Sequence, residues 1–157
     1  MVFTYGDPYR VRTQKQTTLV PVAFLTGQAT RQYELELSGR IGMVGIMFRP
    51  AGLSTLFGLP MYEFTDERIA LNDVLGSSLN DLHEQLCESR TTTGRIALLE
   101  QFLNRQLLRR GDHFDRTDYA ANLIVDKRGV LTVHELMDDL YVSRRQFERQ
   151  FLQKSGR

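Results

Sequence analysis

The stretch TVHELMDDLYVSRRQFERQF, residues 132–151, decides how the C-terminal part of this chain is read. Thr132 is a residue type that caps helix N-termini, and Glu135 stands three residues on, the spacing of a capping box. Val133, Leu136, Met137 and Leu140 share one face of a helix about two turns long. Tyr141 and Val142 form a tight link. Ser143 then caps a second helix, in which Phe147 and Phe151 lie four residues apart on one side. The exposed side of that helix is expected to hold Arg144, Arg145, Gln146, Glu148, Arg149 and Lys154. From Ser143 to Arg157 there are five Lys or Arg and one acidic residue. Two short helices around a small core, the second one basic, fit a helix-turn-helix whose second helix enters the major groove. Arginine there can grip a guanine edge with two hydrogen bonds or neutralise a phosphate. The same pattern also describes a plain αα-hairpin with a solvated charged face.

These fixed points resemble the first helix-turn-helix of the AraC/XylS-type bacterial transcription regulators. The family pattern has Leu in the first helix, Ser opening the second, then Leu or Phe, Arg, Phe, and a Gly beyond. Here these fall on Leu136, Ser143, Phe147, Arg149, Phe151 and Gly156. Met137 stands where a small residue is usual, and Tyr141 where the turn usually has Gly. The resemblance implies DNA binding by Ser143, Arg144, Arg145, Gln146, Glu148 and Arg149. Base contacts would come from Arg145, Glu148 and Arg149, with Arg144 at the phosphates. The family's reading head has two such units, so the chain is expected to be a fragment that stops at Arg157 before the second. Half a reading head binds DNA weakly, because affinity and specificity are divided between the units.

Upstream, the first half reads as β and the chain turns α-like near Pro50, so the fold class is α+β. Met1–Tyr5 is β-prone and stops at the turn cluster Gly6-Asp7-Pro8. Leu19–Leu25 is apolar around Pro21, which suggests an edge strand. In Gln32–Leu37, Tyr33, Leu35 and Leu37 alternate with polar residues, the period of a half-buried strand. Ser38-Gly39-Arg40 then turns into an apolar strand, Ile41–Phe48, and the two strands are expected to pair as a hairpin. Leu53, Leu56 and Phe57 mark a short helix after Pro50 that ends at Gly58. Asp66–Leu75 reads as helical. Ser78 is placed to cap a helix that buries Leu79, Leu82 and Leu86. Gly94–Arg110 is the strongest helix here, with Ile96, Leu99, Leu103 and Leu107 on its stripe. Asp115 opens a further helix through Tyr119, Leu123 and Ile124 to Gly129.

Residues 42–52, GMVGIMFRPAG, together with Gly6-Asp7-Pro8-Tyr9, Ser38-Gly39-Arg40 and Thr65-Asp66, resemble the cupin-like sensory domain that precedes the DNA-reading unit in some of these regulators. That domain usually begins earlier than Met1 here, so an N-terminal portion is also expected to be missing. The implied organisation is a sensory and dimerisation domain over 1–128, its sheet a partial cupin, and a helix-turn-helix over 129–157. A small-molecule effector is implied, its identity unknown. Phe24, Tyr33, Met43 and Met47 could line its barrel or simply fill a core. Arg49, at a strand-to-helix junction, could meet an anionic ligand or hold Asp66. The resemblance also implies a homodimer through Ile96, Leu99, Leu103 and Leu107. Packing onto the chain's own sheet would use the same stripe.

Composition narrows the remaining classes. The chain has 157 residues, 41% hydrophobic and 25% charged, which suits a folded globule, and its net charge of +1 gives no global attraction to nucleic acid. No apolar run reaches the ~20 residues needed to cross a bilayer, and no signal-peptide core opens the chain, so a cytoplasmic protein that spans no membrane is expected. Cys87, the single cysteine, reads as a small apolar residue. His83, His113 and His134 form no metal-binding motif, and no GxSxG elbow occurs. No cofactor and no catalytic residues are expected, which leaves a cupin-type enzyme as a minor alternative. A protein-interaction module without DNA binding of its own is the main one.

Overall fold

The computed structural model describes residues 1–111, 115–140 and 143–156. The link at Tyr141 and Val142, His113, Arg157 and the side chain of Ser78 lie outside the described residues. The architecture is α+β, antiparallel sheets followed by a helical C-terminal half. The chain divides into two compact units, residues 1–47 with 64–108, and residues 48–63 with 109–157. The expected division at 128 therefore differs from the observed one, since residues 48–63 and 109–128 cluster with the last two helices.

The first unit holds seven short strands: β1 (Val2–Thr4), β2 (Arg10–Arg12), β3 (Thr17–Leu19), β4 (Ala23–Thr26), β5 (Glu34–Glu36), β6 (Met43–Gly45) and β7 (Arg68–Ala70). They form a four-stranded sheet in the order β6-β1-β4-β7 and a three-stranded sheet in the order β3-β2-β5, all pairs antiparallel. Cross-strand partners share a face. Thus Val2, Phe24 and Ala70 lie on one side of the larger sheet, and Phe3, Ala23, Val44, Leu25 and Ile69 on the other. The first side joins Tyr9, Val11 and Val20 in an apolar cluster with Phe24, flanked by Val2 and Ile41. The second side carries the fully buried Phe3 and Leu25 and is covered by helices α2 (Leu71–Leu75) and α3 (Asn80–Glu88). Helix α4 (Thr92–Arg110) follows. Its Arg95 donates to the Leu86 carbonyl at 3.0 Å and lies 3.7 Å from the centroid of the Tyr5 ring.

Three strand expectations are corrected. Gln32–Leu37 and Ile41–Phe48 do not pair with each other: β5 joins β2, and β6 joins β1. The turn between them serves instead to clasp a second turn. The Asp7 carboxylate accepts from the Arg40 amide at 2.5 Å, and Gly39, at φ +71°, passes where a Cβ would strike that carboxylate. The apolar run Leu19–Leu25 is not one strand. It breaks at Pro21 into the end of β3 and the start of β4, because Pro has no N–H for a ladder and the chain there crosses between sheets. Arg68–Ala70, expected to be helical, pairs with β4 as an edge strand before α2 begins. The short strand β2 carried no sequence signal beyond Val11.

The second unit contains α1 (Gly52–Phe57), α5 (Arg116–Asp126), α6 (Val133–Leu140) and α7 (Arg144–Ser155). Helix α1 stops at Gly58, as its sequence foretells, and starts two residues beyond Pro50 with Ala51 in the left-handed region at φ 66°. Helix α5 is opened by a full capping box. The Asp115 carboxylate accepts from the amides of Thr117 and Asp118 at 2.8 and 3.2 Å, and Asp118 accepts from the Asp115 amide at 2.9 Å.

Candidate nucleic-acid interface

The helix pair at the C-terminus forms through local chemistry. Thr132 Oγ1 accepts from the Glu135 amide at 3.2 Å while Glu135 accepts from the Thr132 amide at 2.7 Å. The Thr132 amide and hydroxyl both donate to the Glu135 carboxylate and hold it below its usual range; desolvation opposes this, and Lys127 and His134 add to the lowering. Ser143 Oγ accepts from the Gln146 amide at 3.3 Å at the start of α7, and Gly156, at φ 82°, ends it. Leu136, Leu140 and Phe147 close with Ala120 into one buried cluster, against which Leu123, Ile124, Leu131 and Phe151 pack. The Phe147 and Phe151 rings stand 5.3 Å apart, the contact that their four-residue spacing predicts. Val133 and Tyr119, expected on apolar faces, are exposed, and Met137 is half-buried.

On the outer side of α7, Ser143, Arg144, Arg145, Gln146, Glu148 and Arg149 are all exposed. Arg144 and Glu148 are joined by a 2.8 Å ion pair one turn apart. Such a surface pair contributes only ~0–1 kcal/mol, so it yields readily to a phosphate or a base. Arg145 and Arg149, one turn apart on the same face, form no ion pair among the described residues.

Lys154 departs from expectation. It does not belong to the exposed basic face. Its side chain is 19% exposed and its ammonium sits 2.8 Å from both Asp115 and Asp118. The Asp118 carboxylate is buried, and it also accepts from the hydroxyl of Thr55 on α1. The Asp115 carboxyl is pushed up by burial, but the Lys154 bond and the helix amides outweigh this and hold it below its usual range. The last turn of α7 is thus tied to the first turn of α5, and α5 to α1. Sequence reading missed this anchor. The capping box of Asp115 and Asp118 was visible in principle, but its cation stands 36 residues away from Asp118.

The other candidate residues fall as follows. Arg49, in the second unit, is exposed with Nη1 3.5 Å from Asn122 Oδ1. It does not hold Asp66, whose carboxylate accepts from the Thr30 amide at 2.6 Å, from the Thr30 hydroxyl at 2.5 Å and from the Arg31 amide at 3.2 Å. In the first unit Phe24 is buried, Tyr33 and Met43 are partly exposed, and Met47 is 98% exposed and lines no interior. On α4, Leu99 is buried with Phe102 and Leu103 is half-buried, whereas Ile96 and Leu107 are exposed. His83 donates through Nε2 to the Thr4 carbonyl at 2.8 Å, with Cys87 Sγ 3.5 Å from the same nitrogen. Among the described residues no helix is long and apolar enough to cross a membrane.

Residues 1–70 match a family described as a domain of unknown function, DUF6597. The match runs from β1 through β7, less than half of the chain. No curated protein and no solved structure matches the chain.

Proposed function

We propose that the chain is part of a ligand-responsive, DNA-binding transcription regulator of the AraC type. In this reading the β-rich unit senses a small molecule and α7 reads DNA. The observation that carries it is the surface of α7. A serine-capped helix, braced on its inner side by Phe147, Phe151 and Lys154, presents Arg145 and Arg149 outward, with no carboxylate partner for either among the described residues. Unpaired arginines on a braced helix are the donors that groove contact requires. The test is fluorescence anisotropy with a pool of random double-stranded oligonucleotides, followed by selection of the bound sequences. Arg145→Ala and Arg149→Ala are each expected to weaken binding to the selected sequence by about 1–3 kcal/mol and to relax preference at one position. Unchanged affinity and preference in both would remove the assignment.

A second reading concerns α4. Its Ile96 and Leu107 are exposed, together with the 85% exposed Leu108, while Leu99 is committed to the chain's own core. This supports a homodimer contact through Ile96 and Leu107 with Leu103 between them. Sedimentation of Ile96→Glu with Leu107→Glu is expected to show a monomer where the unaltered protein shows a dimer.

A further inference from the structure

The inner face of the three-stranded sheet carries more apolar surface than it buries. Val11 is paired with Leu35 across β2 and β5, so both point to the side on which Val11 meets the inter-sheet cluster. Tyr33 and Leu37 lie just outside β5, two residues either side of Leu35. Val11 is buried, yet Tyr33, Leu35 and Leu37 are 43%, 45% and 53% exposed. Leu35 therefore lies on the inner face, but the β5 end of that face is left open.

Arg68 stands at this opening. Its partner across β4 and β7 is Thr26, two residues from Phe24, which places Arg68 on the inner side of the larger sheet. Its guanidinium carbon lies 4.1 Å from the centroid of the Tyr33 ring, a cation–π seat. Among the described residues it makes no ion pair, and the nearby Asp66 is occupied by Thr30 and Arg31. The ring of Tyr9 is buried in the inter-sheet cluster, and its hydroxyl feels both Arg68 and Tyr33. Burial raises the Tyr9 hydroxyl above its ordinary value, which Arg68 only partly offsets. An arginine on a face of leucine and tyrosine, without a carboxylate, has its planar fork of donors still to fill.

We propose that this open face is the effector site of the β-rich unit and that its ligand is a small monocarboxylate with an apolar body. Arg68 takes the carboxylate, and the apolar body lies over Leu35 and Tyr33. A single cation among apolar walls suits a singly charged planar anion better than a phosphate. The assignment rests on the ligand-responsive reading above and names the chemistry of that ligand.

Hydrocinnamate and its uncharged amide are the probes, titrated into the protein with tyrosine-ring NMR signals as the readout. Saturable binding of the acid is expected, with perturbation of Tyr33 and Tyr9. Arg68→Gln is expected to weaken the acid by about tenfold, the loss of a charge-assisted pair of hydrogen bonds, and to leave the weak binding of the amide unchanged. Arg68→Lys keeps the charge without the fork and is expected to fall between the two, which preserves the test if Arg68→Gln does not fold. Equal binding of acid and amide, wild-type affinity in both Arg68 variants, or no saturable binding would overturn the proposal. The DNA-binding experiment fails or succeeds separately. Acid-selective binding without DNA binding would keep this site and remove the regulator, and the reverse would remove only the site.

Discussion

Residues 32–37 and 132–151 both display clean apolar periodicity, and the fold treats them in opposite ways. In the helical stretch, Leu136, Leu140 and Phe147 are buried together and both capping bonds form as their spacing requires. In the strand stretch only Glu34–Glu36 forms a strand, it pairs with β2 rather than with the strand that follows, and Tyr33, Leu35 and Leu37 remain about half exposed. A helix satisfies its own backbone within four residues, so its period and caps are nearly sufficient. A strand's hydrogen bonds belong to another segment, and nothing within it names that segment.

The comparison can be sharpened by substitutions in each region. The largest effect is expected where the helical region depends on a distant residue after all. Lys154→Met leaves the buried Asp118 without its cation and should cost about 3–5 kcal/mol, measured by urea unfolding. A loss below ~1 kcal/mol would mean that Asp118 is held by Thr55 and the Asp115 amide alone. Next comes the local cap. Thr132→Ala removes the hydroxyl that accepts from the Glu135 amide and donates to its carboxylate, keeps the bond from the Thr132 amide, and should cost ~1 kcal/mol. That contribution depends on pH in a defined sense. The folded-state pKa values of Glu135 and Asp115 are depressed, so their stabilisation is present above the ordinary carboxylate range and is lost as pH falls through the folded values. Stability should therefore decline below about pH 4.5, and less steeply in Asp115→Asn than in the unaltered protein. The smallest effect is expected at Leu35. Leu35→Thr keeps a β-favouring shape at a half-exposed site and should change stability by no more than ~0.5 kcal/mol. A loss above ~1.5 kcal/mol would show that Leu35 is covered in solution and would close the open face.

How much was legible follows from the range of the interactions. The helices at 52–57, 80–88, 92–110, 116–126, 133–140 and 144–155 carry apolar stripes, Asp, Thr or Ser at their starts, or Gly at their ends, and each was readable within about one turn of its bounds. The strands β2, β3 and β7 are three residues long, too short for a period to show. Arg68 lies in a stretch whose local pattern is helical, and its place on an inner sheet face exists only through pairing with β4. Lys154, a lysine after a run of arginines, looks in the sequence like part of the same exposed stripe. Position 154 falls on the side of α7 that carries Phe147 and Phe151, three and seven residues back, and there it meets Asp115 and Asp118.

The sequence by itself determined the α+β class, the positions of most helices, their caps, and the outward set of Arg145 and Arg149 on α7. Each of these depends on residues within a few positions of one another. Only the tertiary structure decided which strands pair, that the turns at Asp7 and Gly39 clasp, that residues 48–63 join the C-terminal helices, and which cations are held inside. Those outcomes depend on contacts between segments tens of residues apart. Their geometry is set by the joint packing of two sheets and several helices, and no local period encodes it.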